Sequence, residues 1–127
     1  MRALLTMLWA LPFTLLGLLV AFVGLAAYSR REGPAFLFVA PRGWMLGWFF
    51  RVFHMAAFTW GRVVIVREAA YLGARRLIRH EVAHVGQAAK WGPLFPAAYL
   101  LASLWALVTG QGWYVGNVFE VAARAAE

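Results

Sequence analysis

Arg75-Arg76-Leu77-Ile78-Arg79-His80-Glu81-Val82-Ala83-His84-Val85-Gly86-Gln87-Ala88-Ala89-Lys90-Trp91 runs without a proline into Gly92-Pro93. At about 100° per residue, Leu77, His80, His84, Gln87 and Trp91 form one stripe of a helix, and Ile78, Val82, Val85 and Ala89 form a second on the opposite side. Arg76, Arg79 and Lys90 fall in a third sector. The spacing predicts one helix over Arg75 to Trp91, stopped by the Gly-Pro pair, with an apolar back for a core and a front that carries two histidines. Glu81 falls between the histidine stripe and the apolar one.

Two histidines four residues apart project from the same helix face, so His80 and His84 can place imidazole nitrogens on one metal ion with Glu81 beside them. His-Glu-x-x-His is also the spacing by which zinc hydrolases hold metal and base together. Zinc brings the pKa of a water toward neutrality and polarises a carbonyl, and the carboxylate removes the proton of the attacking water. The alternative is a pair of surface histidines with no shared ligand. A catalytic zinc requires a third protein ligand. The chain has no cysteine and no aspartate, which excludes a disulfide framework and every thiolate site and leaves Glu120, His54 and Glu68 as candidates. Glu120 begins a short helix behind an apolar segment, where the chain can fold back onto the His pair, or it pairs with Arg124 one turn on. His54, between Phe53 and Met55, suits a buried or interfacial place, and Glu68 closes the strand before the site.

Outward from this helix toward the N-terminus, Val63-Val64-Ile65-Val66 is a β-branched run that reads as a strand. Ala35 to Ala40, closed by Pro41, reads as a second strand or extended connector. Gly43 to Ala57 reads as a helix bearing Trp44, Trp48 and Phe49 or Arg51 on one face, either lying among lipid headgroups or packed as an ordinary core helix. Ala3 to Ser29 holds no charged side chain, and a helix there rises about 40 Å, enough to cross a hydrocarbon core of about 30 Å. A signal peptide would need an apolar core of only about 7–15 residues, so the run reads as an uncleaved transmembrane anchor. With Gly33-Pro34 as its boundary, the chain divides into an anchor at 1–32 and a domain at 33–127. Toward the C-terminus, Trp91 to Phe119 is uncharged. Glycines and prolines confine its helix to about Leu94–Thr109, which rises only about 24 Å and suits a domain helix or a partly inserted hairpin. Asn117 then caps a last short helix.

The fold class expected is mainly α with a small β element, an N-terminal transmembrane helix followed by a minimal α+β domain. Composition agrees with lipid contact: 64% of the 127 residues are hydrophobic and 13% charged, where soluble domains carry about 25% charged residues. The net charge of +7 comes from scattered arginines without a nucleic-acid recognition motif, so no nucleic-acid partner is expected. Arg30 and Arg31 directly after the uncharged run, with Arg42 and Arg51 further on against Arg2 alone before it, give the expectation of a single-pass protein with its domain on the cytoplasmic side.

Leu77 to Gln87, followed by Trp91-Gly92, a tyrosine-containing apolar helix and Asn117-Val118-Phe119-Glu120-Val121-Ala122-Ala123, resembles small bacterial zincin-like proteins of a minimal gluzincin type over roughly Phe58 to Glu127. The resemblance implies one zinc per chain held by His80, His84 and Glu120, with Glu81 as the base. It also implies an edge strand, Val63, Val64, Ile65 and Val66, to which an extended peptide adds. Larger gluzincins carry an aspartate four residues after the third ligand to orient an imidazole; here that place is Arg124. Orientation must then come from Gln87, a backbone carbonyl or Glu68, and Tyr114, Tyr99 or His54 is left to stabilise an oxyanion. The activity implied is hydrolysis of peptide bonds by a membrane-anchored zinc metallopeptidase with a peptide or protein substrate and lipid around its anchor. A non-catalytic zinc-binding membrane protein, and a basic membrane-interaction protein with a fortuitous motif, are the alternatives.

Overall fold

A computed structural model describes residues 1–127. In chain order the elements are α1 (Arg2–Val23), β1 (Ala27–Glu32), β2 (Ala35–Val39), α2 (Met45–Val52), β3 (Ala57–Trp60), β4 (Val63–Val66), α3 (Arg75–Trp91), α4 (Phe95–Val108) and α5 (Val118–Ala125). Short 3-10 turns at Ala69–Gly73 and Gly92–Leu94 flank α3. The molecule is mainly helical with one small sheet.

The sheet has the order β1-β2-β4-β3. β1 and β2 are an antiparallel hairpin, β3 and β4 a second one, and β2 lies parallel to β4 with Leu37 opposite Val64 and Val39 opposite Val66. Parallel neighbours cannot be joined by a tight turn, and α2 lies in the crossover between them. Every residue of β4 is buried. Val64 and Val66 pack with Leu37, Ala57, Ile78 and Val85 on the α3 side, and Val63 and Ile65 with Ala21, Leu46 and Phe50 on the side of α1 and α2. The sheet is thus the middle layer between α3 and the α1–α2 pair, which is why β4 shows no polar alternation.

Two sequence expectations are corrected. Val63–Val66 is a central strand, paired on both sides, so it offers no edge to a peptide; the edges of the sheet are β1 and β3. Residues 27–32 belong to the sheet rather than to an anchor, because the first helix stops at Val23 and Gly33-Pro34 is the turn of the β1–β2 hairpin. Elsewhere α3 has the predicted ends, and Gly92 stops it with a φ of +55°, where its hydrogen lies against the Trp9 indole.

α1 rises about 33 Å. Two helical stretches are long and apolar enough to cross a membrane: Arg2–Val23, and Arg75–Val108, which is α3 and α4 in series through the Gly92 turn. One stripe of α1, Ala10, Thr14, Gly17 and Ala21, is buried against the domain. Thr14 Oγ1 accepts the Arg62 backbone N–H at 3.2 Å, and Gly17 and Gly61 bring the backbones of α1 and the β3–β4 turn so close that a Cβ at either would overlap its neighbour.

Candidate metal centre

The helical period of α3 puts His80 and His84 on adjacent turns, with their Nε2 atoms 3.2 Å apart. α5 brings the third group. Its N-cap Asn117 accepts the Phe119 N–H at 2.9 Å and donates to Ser103 Oγ at 2.7 Å and the Tyr99 carbonyl at 3.1 Å, which ties the first turn of α5 to α4. Glu120 then points inward, with Oε2 3.1 Å from His80 Nε2 and Oε1 3.3 Å from His84 Nε2. All three residues are buried, and their donor atoms lie within 4.8 Å of one another.

The outer nitrogens decide what the inner ones can do. Gln87 Nε2 donates to the Phe119 carbonyl at 2.9 Å, which turns Gln87 Oε1 toward His84 Nδ1, also at 2.9 Å. An amide oxygen only accepts, so His84 Nδ1 carries the proton and its Nε2 a lone pair. His80 Nδ1 meets the Glu127 carboxylate at 3.0 Å, with the same consequence. Two lone pairs and a carboxylate therefore converge on one buried point, an arrangement that requires positive charge there, supplied by a metal ion or by extra protons on the imidazoles. Ligand atoms about 2.05 Å from a tetrahedral ion are separated by about 3.3 Å. The 3.2 Å between the two Nε2 atoms and the 3.1 Å from His80 Nε2 to Glu120 Oε2 are close to that spacing, while the 3.3 Å contact of His84 Nε2 is to the other carboxylate oxygen, Oε1. Burial works to raise the Glu120 carboxyl, but hydrogen bonds with His80, His84 and Tyr99 outweigh it and hold the group well below the usual carboxylate range. Tyr99 Oη donates to Glu120 Oε1 at 2.6 Å.

Glu81 is buried beside this triad without joining it, and Thr59 Oγ1 of β3 donates to its Oε2 at 2.5 Å. Glu81, the triad, Tyr99 and Tyr114 line one cavity of about 490 Å³. Burial, with the Glu120 carboxylate nearby, pushes the Tyr114 phenol up to about 12, which keeps it protonated and able to donate.

The predicted site residues thus divide. His80, Glu81, His84 and Glu120 come together, Gln87 orients an imidazole, and Tyr99 and Tyr114 reach the cavity. His54 does not: it is exposed in a turn after α2 at a φ of +52° and lies outside the cavity lining. Glu68 faces Arg42 at 4.0 Å and Arg67 at 3.9 Å, away from the site. Arg124 turns to the Val115 carbonyl and orients no imidazole. Sequence reasoning missed Glu127 and Thr59. Glu127, whose carboxylate meets His80 Nδ1, is held by Arg76 at 3.5 Å and by Arg79, which donates to its backbone oxygen at 3.2 Å. No helical period pointed to it, since Glu127 lies beyond the end of α5 at Ala125. No family model, curated protein or solved structure matches the chain.

Proposed function

We propose that the chain is a membrane-associated zinc peptidase in which His80, His84 and Glu120 hold the metal and Glu81 is the general base. The observation that carries this reading is the convergence of two Nε2 lone pairs and one carboxylate on one buried point, with a second carboxylate, Glu81, next to it in the same cavity. Two imidazoles and a carboxylate suit zinc, and two helical stretches of membrane-spanning length support association with lipid.

When bound, zinc supplies Lewis acidity, which eases deprotonation of water and polarises a peptide carbonyl. Glu81, fixed by Thr59, accepts the proton of the attacking water. The water oxygen forms a bond to the carbonyl carbon, the C–N bond breaks, and the proton held by Glu81 passes to the leaving amine. Tyr114 supplies an O–H group to the cavity in which negative charge develops on the carbonyl oxygen, while Tyr99 donates its own to Glu120. An extended peptide has β3, not β4, as its edge, and that edge carries Thr59 past the base.

Purified protein is expected to hold about one zinc per chain by elemental analysis. His84→Ala should lose the metal, whereas Glu81→Gln should keep it and lose hydrolysis by about 10²-fold or more. Protein without stoichiometric metal, or an active Glu81→Gln variant, overturns the proposal.

A further inference from the structure

The cavity wall is shared by α1, through Ala10 and Phe13, and α4, through Pro96 and Leu100. No lysine or arginine lines it, although the chain has twelve basic residues; its only acidic or imidazole side chains are the four of the metal centre. Past the cavity, the same two helices turn Leu8, Leu11 and Leu15, and Leu101, Leu104 and Trp105, outward into exposed positions. Neither Ala3–Ser29 nor Leu94–Phe119 contains a charged residue. The walls of the cavity are therefore continuous with the two most apolar surfaces of the molecule, and a bilayer that covers those surfaces meets the cavity between them.

We infer that the cavity takes its substrate from the lipid phase: an uncharged apolar segment of a membrane-embedded polypeptide, unwound into an extended strand along β3. The inference rests on the peptidase reading and names its substrate class. Backbone amides released from a helix inside lipid find no water to pair with, and each unpaired group costs several kcal/mol. β3 is the last strand of the sheet and contributes Ala57, Phe58, Thr59 and Trp60 to the cavity, so it offers backbone partners where the surroundings offer none. That need for backbone pairing selects a polypeptide over a lipid acyl chain, which has nothing to pair. A segment rich in Asp would meet carboxylates and no Lys or Arg in the cavity, and one rich in Lys would find acidic partners only at Glu81 and Glu120, against an otherwise apolar wall, which selects against soluble polar peptides.

The full chain, zinc-loaded and reconstituted in phosphatidylcholine vesicles, is given two fluorogenic peptides with the same central residues. One is an uncharged vesicle-embedded segment of about 20 residues; the other is flanked by Lys and Asp and is water-soluble. The embedded peptide should be cleaved at least about tenfold faster, with the phospholipid intact and Leu100→Arg lowering that rate about tenfold at unchanged zinc content, as an unpaired charge at the lipid-facing wall of the cavity would. A photoreactive residue at position 100 in the Glu81→Gln protein should crosslink to the embedded peptide. Equal or preferred cleavage of the soluble peptide overturns the inference while sparing the peptidase reading, and hydrolysis of the phospholipid overturns both. If neither peptide is cleaved, the peptidase reading falls, and the crosslink alone decides whether the cavity admits an apolar segment: its absence overturns the inference too.

Discussion

Each imidazole of the candidate metal centre is gripped by its outer nitrogen, and the two grips differ. Gln87 is a neutral acceptor fixed by a backbone carbonyl, while Glu127 is a carboxylate tethered by two arginines. Partners of this kind set the tautomer and aim of a ligand, and their loss costs about 10–100-fold in metal affinity. Gln87→Ala and Glu127→Ala are each expected to fall in that range in competition with a chromophoric chelator, with the fold intact by circular dichroism. The carboxylate also adds charge to the imidazole it holds, so Glu127→Gln should recover part of the loss that Glu127→Ala causes. Gln87 was legible in the sequence because the helical period sets it on the same stripe as the ligands. Glu127 was not tied to His80 by any period, since 47 residues and two helices, α4 and α5, separate them.

At the scale of elements, α5 holds Glu120 in the candidate metal centre only as firmly as Asn117 holds α5. The Asn117 side chain is fully buried and uses both its oxygen and its nitrogen, capping α5 and pinning it to α4. Asn117→Ala should cost about 1–2 kcal/mol in thermal or denaturant unfolding, from the lost cap and the groups left unpaired. It should weaken zinc binding as well, because Glu120 sits in the first turn of that helix. Helices with clear stops were readable from period and punctuation: α3 by Gly92-Pro93, and α5 by its Asn cap. The strands were harder. β1 has every residue exposed, so no alternation marks it, and it follows an apolar run that masks where α1 ends. For β4 the clue was present but pointed elsewhere: four apolar residues in succession are the mark of a strand covered on both faces, not of an edge.

For the whole molecule, the main departure from an anchor-plus-domain plan is that α1 is built into the domain. Gly61 has a φ of +60°, and an added Cβ would lie 2.5 Å from the Thr14 backbone nitrogen. Gly61→Ala should therefore destabilise by more than the roughly 1–2 kcal/mol of left-handed strain, seen as a lowered unfolding midpoint and faster proteolysis near Leu25. Ala10 and Phe13 of the same helix form part of the cavity wall, so a variant that loosens α1 should lose substrate turnover before it loses zinc. The sequence could not show this, because the pairing of a small-residue stripe with a distant turn depends on strand order.

The positions of His84 and Glu120 also bear on how the chain holds itself together. The two residues stand on either side of α4, so an ion that joins them closes the whole of that helix into a covalent-like loop. Cross-links across long loops remove much of the freedom of the open chain, and the larger the loop the greater the gain. Chelation would do more than stop turnover. It would unlatch an apolar hairpin from the domain, and its leucines would then partition by their own affinity for lipid.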